Sequence, residues 1–399
     1  MKVLTTVVVA LIFLIPYMAA ATTWTVPDDV STICAAADSS ADGDTIYVKD
    51  GTYNEAGIDL NNKRVCLIGE SRDSTIVDGE YSGRLLETTG DLVIVRNFTF
   101  KRGCFAMLSG TPTGGFTHVG PGDSIEIYNC TIAHCKRFCE NNVLGGQGAA
   151  IYITGVNDTY VKIRNSTFHS NKAHLGGAIL IGGCTLSDND YVEIKLCTFY
   201  NNIAEYGGSA IFMYHSPTHS AKLYMERNTF DHNEITDDYE DPCITPYAGH
   251  ATVSLYAPIA SSDAEITFQH NIVTWPINSY CLSFYPYHWG DSTAYANAPL
   301  HCNNYYGYAD DSTSSRGISM EPGSNENKRY DPELDRNIYT DPGFQCRHQH
   351  NYVPERSCDC YNAPCIPAGQ VFILGAKNSY WSDGAPDTCA KHEVCIEEE

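Results

Sequence analysis

VKIRNSTFHSNKAHLGGAILI (161–181) and VEIKLCTFYNNIAEYGGSAIFMY (192–214) are two versions of one pattern. Each holds an alternating apolar strand, a Thr-Phe pair, an Asn three residues after the Phe, a Gly-Gly pair and a second apolar strand. The pairs Thr167-Phe168 and Thr198-Phe199 lie 31 residues apart, and Thr229-Phe230 follows after another 31. A recurrence of about 20–50 residues marks stacked units, none of which can bury a core alone.

The pattern extends both ways. Thr99-Phe100 and Thr131-Ile132 precede the quoted stretch and a degenerate Ile272-Val273 follows it, at intervals of 32, 36, 31, 31 and 43 residues. A fixed pattern over variable spacing predicts a coil of constant geometry with loops of changing length. Parallel strands of successive coils pair about 4.8 Å apart, so equivalent side chains stack in columns. Phe100, Ile132, Phe168, Phe199 and Phe230 are expected in one inward column. The preceding Thr residues then face outward, because side chains alternate along a strand. Asn97, Asn129 and Asn165 share one position, and Asn171, Asn202 and Asn233 another. Asn tolerates left-handed backbone and hydrogen-bonds its neighbours, which suits sharp corners.

The N-terminal part supplies an end to this stack. Asp28 or Asp29 is expected to cap a short helix with Val30, Ile33, Cys34 and Ala37 on one face. Gly43-Asp44 ends it, and short strands follow at Thr45–Val48, Val65–Ile68 and Thr75–Asp78. Such a helix covers backbone groups that an open stack exposes. Val26-Pro27, the helix, Gly43-Asp44-Thr45-Ile46 and Gly51-Thr52-Tyr53-Asn54-Glu55 together resemble the start of right-handed parallel β-helices of the pectin-lyase-like group. Gly176-Gly177-Ala178-Ile179 and Gly207-Gly208-Ser209-Ala210-Ile211 resemble the coils of polymorphic outer-membrane proteins. The resemblance implies an all-β, right-handed, single-stranded parallel β-helix with an N-terminal capping helix. Gly51–Glu55 also matches a pectin methylesterase motif, but many first coils carry it without chemistry, and Glu55 reads as a turn residue.

Lys2, the apolar run Thr5–Tyr17 and Ala19-Ala20-Ala21 predict a secretory signal over 1–21. No later segment reaches about 18 uninterrupted apolar residues, so no membrane span is expected. Segments 22–90, 91–308 and 309–399 are read as cap and first coils, β-helix, and a loop-rich, disulfide-rich closing segment. All 17 cysteines follow the signal. In an oxidising compartment most are expected to pair, with at least one left over. Cys346, Cys358, Cys360 and Cys365 fit no common zinc spacing. Of four Asn-x-Ser/Thr sequons, at Asn97, Asn129, Asn157 and Asn165, Asn157 reads as the surface acceptor.

The net charge of −23 argues against nucleic acid as a partner. It also repels acidic polysaccharides unless a cation bridges the two. Families with this fold differ in function, so chemistry must be sought in sites. The Asn-Thr-Asp and Gly-His-Gly segments of polygalacturonases are represented only by Gly249-His250-Ala251. The later motifs of pectin methylesterases, the Arg motifs of pectate lyases and the Asp-Pro-His-Asp of alginate epimerases are absent from the sequence.

Weaker constellations remain. His169, Tyr200 and Asp231 follow the Phe of their coils and form an outward column able to do acid–base work. Asp237, Asp238, Glu240 and Asp241 offer hard oxygen ligands for Ca²⁺, without the spacing of an EF-hand, and no cofactor is otherwise expected. Residues 275–308 are rich in aromatics, and Tyr285, Tyr287 and Trp289 are candidate glycan contacts. The leading expectation is a secreted, extracellular or cell-surface protein that binds a polysaccharide or glycan surface without catalysis. Its rivals are a divergent polysaccharide lyase or glycoside hydrolase, and a structural or adhesive scaffold.

Overall fold

The computed structural model describes residues 21–320 apart from 91, 107–113, 139–147, 155–157, 183–189, 215–221, 237–250, 258–264, 278–279, 287–303 and 307–317. One coil shows the plan. Tyr160–Arg164 lies in sheet A, Thr167–His169 in sheet B, Lys172–Leu175 in sheet D and Ile179–Gly182 in sheet E. The chain then re-enters sheet A at Tyr191–Lys195, pairing in parallel with Tyr160–Arg164. Among the described residues sheets A and B each have nine strands, sheet D five and sheet E seven, every pairing one coil to the next. A small sheet C joins Ile58–Asp59 to Leu86–Glu87. The molecule is a parallel β-helix.

Register follows from period-two alternation, which fixes the residues that can face inward. Phe100, Ile132, Phe168, Phe199 and Phe230 are paired in one column. All five are fully buried. The rings of Phe168 and Phe199 stack 5.0 Å apart, and those of Phe199 and Phe230 4.9 Å apart. Burying each ring contributes roughly 1.5–3 kcal/mol. Ile272-Val273 continues the Thr229-Phe230 position as expected.

The corners divide labour between backbone and side chain. Asn97, Asn129 and Asn165 adopt left-handed φ values of 61°, 49° and 51°. At the next corner the left-handed residues are Ser170, Asn201 and His232, with φ of 55°, 52° and 50°. Asn171, Asn202 and Asn233 follow them, fully buried, as an amide ladder. Asn171 Nδ2 donates to Asn202 Oδ1 at 3.0 Å, and Asn202 Nδ2 to Asn233 Oδ1 at 3.0 Å. This second Asn column therefore supplies partners for buried polar groups rather than the turn itself. Gly176 and Gly208 turn the chain before sheet E with φ of 62° and 59°. A Cβ on Gly176 would lie 2.4 Å from the Ile179 carbonyl oxygen, which excludes a side chain.

The N-terminal helix α1 spans Ile33–Ser39 and buries Ile33, Ala36 and Ala37. Its cap is Thr32, whose hydroxyl accepts from Ala35 N at 3.1 Å, and not Asp28 or Asp29. Asp29 instead accepts from Thr25 N, and Asp28 pairs with Lys49. The Glu55 carboxylate receives Ile33 N at 3.0 Å and Cys34 N at 2.8 Å. It satisfies orphan donors of the first turn, which is a structural task.

Six of the described cysteines stand outside any disulfide framework. Cys34, Cys66, Cys104, Cys130, Cys135 and Cys197 are free thiols. Cys130, Cys135 and Cys197 sit fully buried, where they pack as small apolar groups. Burial pushes each of these three thiols up to about 12.

Candidate functional site

Two outward faces gather polar and titratable side chains in register. On sheet B, the residue after each Phe stacks as anticipated: His169, Tyr200 and Asp231 are consecutive in register. The His169 and Tyr200 rings lie 4.8 Å apart and 4° from parallel. Asp231 accepts from Thr274 Oγ1 at 2.6 Å and faces His232 Nδ1 at 2.9 Å. The three share one column, but Tyr200 and Asp231 are only 5% and 1% exposed.

Toward the N-terminal end of this face lies a cavity of about 360 Å³, lined by Asp73, Thr99, Lys101, Thr131, His134 and His169. The outward Thr column forms part of its wall, as alternation requires. Thr99 donates to the Arg72 carbonyl at 2.8 Å, whereas the buried Thr131 Oγ1 has no hydrogen-bond partner. His134 meets His169 edge to face, ring centroids 5.3 Å apart. Asp78 binds Lys101 Nζ at 3.2 Å and Arg102 Nε at 2.6 Å. Burial opposes its ionisation, but the hydrogen bonds from Arg102, Glu80 N and Lys101 win and lower its pKa.

The outward face of sheet A was not anticipated. Its strands present Tyr160, Lys162 and Arg164 on one coil, then Tyr191, Glu193 and Lys195 on the next, in register. Lys222, Tyr224 and Glu226 continue the same three columns. Tyr160 and Tyr191 stack at 5.3 Å, and Tyr224 tilts against Tyr191 at 5.5 Å. Between the rings runs a charged network. Glu193 accepts from Arg164 Nε at 2.6 Å and Tyr191 Oη at 2.8 Å, with Lys195 Nζ at 3.2 Å. Burial would raise the Glu193 pKa, yet these three donors hold it down at about 2. Lys195 also meets Glu226 at 3.1 Å, and Gln269 Nε2 donates to Glu226 at 2.8 Å. Arg96, Lys162, Arg164, Lys195 and Lys222 here stand beside Glu126, Glu193 and Glu226, a strip of mixed charge on a chain of net charge −23.

Other expected sites fall elsewhere. Asp237, Asp238, Glu240 and Asp241 lie outside the described residues, as do Tyr287 and Trp289. Tyr285 belongs to a sheet E strand, in register with Tyr256. Among the described residues no group of three or more His, Cys, Asp or Glu side chains is gathered to hold a metal ion. No helix among them is long and apolar enough to cross a membrane.

A family model described as "Right handed beta helix region" matches residues 39–275, more than half of the chain. Among solved structures, a mutant of the PL6 family alginate lyase AlyGC is similar at 12% identity with a TM-score of 0.25. The match covers 76% of this chain and 53% of that one, so this chain spans about half the length of that structure. No curated protein matches the chain.

Proposed function

The chain belongs to the right-handed β-helix family, and from that premise we propose that it is an exported, non-catalytic module that binds an extended glycan along the outward face of sheet A. The observation that carries this reading is the repetition of that face. Tyr160, Tyr191 and Tyr224 lie beside Lys162, Arg164, Glu193, Lys195 and Glu226, with polar heads recurring once per coil in fixed register. A polymer lying along the axis meets a Tyr ring and charged heads on each of the three coils from Tyr160 to Glu226. Several weak contacts then act on one ligand and add by proximity. Solenoid faces serve such extended ligands well.

Three features support binding over turnover. Glu193 is held ionised by three donors, so it lacks the raised pKa that suits a general acid. Glu226 is occupied by Lys195 and Gln269. On sheet B, the burial of Tyr200 and Asp231 leaves His169 alone with access to solvent. Tyr285, Tyr287 and Trp289 are further proposed glycan contacts, and Asp237, Asp238, Glu240 and Asp241 are the proposed Ca²⁺ ligands.

The test incubates the secreted chain with insoluble neutral and acidic glycans, with and without Ca²⁺. Co-sedimentation, reducing ends and unsaturated products are read together. The expected result is retention without product. Product formation that disappears in His169→Ala would replace this reading with an enzyme.

A further inference from the structure

The cavity on sheet B is distinct from the sheet A face, lying beyond the corner at Asn129 and Asn165. We propose that it is an oxyanion site that takes a single carboxylate or sulfate group. Three observations converge on that ligand.

The first is an unsatisfied donor. Thr131 is 3% exposed and its Oγ1 has no hydrogen-bond partner. An orphan hydroxyl is costly to bury, so native structures usually give it a partner. Rotation of χ1 to another staggered well moves the hydroxyl relative to the cavity without moving the strand.

The second is the supply of cationic donors. Lys101 lines the cavity, and its ammonium has three N–H bonds with Asp78 as its ion-pair partner at 3.2 Å. His134, on the next coil, makes no side-chain hydrogen bond among the described residues and reaches the same space.

The third is the balance of nearby charges. The carboxylates are already matched: Asp73 to Arg72 Nε at 2.9 Å, and Asp78 to Lys101 and Arg102. Glu80 lies 4.0 Å from Arg102. His169 faces His134 from the following coil. At the His134 ring, burial first and then Lys101 and Arg102 depress the pKa. Burial disfavours a charge of either sign at that ring, whereas the part due to Lys101 and Arg102 is a positive potential that favours an anion.

Binding and protonation are then linked. An anion beside His134 raises the pKa of the ring, and by reciprocity protonated His134 binds the anion more tightly. Affinity therefore rises as pH falls through the His134 pKa.

The experiment follows the His134 imidazole resonances of the full-length chain by NMR pH titration. The probes are sodium sulfate, sodium glucuronate and glucose. Sulfate and glucuronate are expected to saturate and to raise the His134 pKa, while glucose leaves it unmoved. Response to sulfate alone assigns a free-ion site, and response to glucuronate assigns a group carried on a sugar. Lys101→Met is expected to weaken binding about tenfold or more, and Thr131→Val several-fold. Far-UV circular dichroism checks that both variants fold. Lys162→Ala, on sheet A, leaves this titration unchanged even if glycan retention is lost, so the two readings fail separately. The proposal is overturned if neither anion moves His134, if glucose moves it equally, or if Lys101→Met titrates like the parent chain.

Discussion

The Asn171 side-chain amide donates to Asn202 Oδ1 at 3.0 Å, and the same oxygen receives Asn171 N at 3.2 Å. Asn202 in turn donates to the Phe168 carbonyl at 2.9 Å and to Asn233. One side chain thus satisfies groups on two neighbouring coils from a fully buried position. Asn202→Ala strands several of them at once and is expected to cost about 3 kcal/mol. Urea denaturation checks this, with the unfolding midpoint falling well below that of the parent chain.

The other corner column makes the opposite prediction. Leu196 occupies the position of Asn97, Asn129 and Asn165, with φ of 57°. A branched aliphatic residue is strained there, whereas Asn is tolerated. Leu196→Asn is therefore expected to stabilise the chain by about 1 kcal/mol. A lowered midpoint would show that the Leu196 side chain contributes more by packing than its backbone costs.

Thr131→Val should also stabilise. It removes a buried hydroxyl that has no partner and keeps the β-branched shape that suits a strand. The expected gain is about 1 kcal/mol in anion-free buffer. The same variant is expected to bind sulfate less well, so stability and binding move in opposite directions.

Much of this architecture is legible before any coordinates. The Phe column, the Thr-Phe register and the Asn97–Asn129–Asn165 corner all follow from residues that repeat in identity. The sheet A network does not, because Lys162, Glu193 and Tyr224 differ in kind while sharing a position. Its hydrogen bonds run between coils, so they emerge only when register is fixed. A related ladder is hidden in the sequence for the same reason. Cys197 and Asn228 are equivalent, and Cys197 N donates to Asn228 Oδ1 at 3.0 Å. The expectation that most cysteines pair does not extend to Cys130, Cys135 and Cys197, because compartment governs pairing only for thiols that can meet. These three occupy interior positions of separate coils or corners.

Acid should weaken the sheet A network over a defined range. The Glu193 pKa is lowered from 4.5 in the unfolded chain to about 2 in the fold. A depressed carboxyl contributes stability above its unfolded pKa and loses it as pH falls toward the folded value. Between about pH 5 and pH 2 the parent chain is expected to lose on the order of 2 kcal/mol more than Glu193→Gln, allowing for solvent screening. Denaturation midpoints across that range measure the difference, and parallel curves for the two chains would remove Glu193 from the account.

The most direct test of the central claim is retention on an insoluble glycan panel, comparing the parent chain with Tyr160→Ala/Lys162→Ala. Lys162 stands 3.9 Å from Glu126, and Tyr160 Oη 3.3 Å from it, so the pair contributes little to the internal network. The account predicts that the parent is retained without releasing product and that the double variant, folded by circular dichroism, binds about tenfold more weakly. Equal retention of the two chains, or product release by the parent, would contradict it.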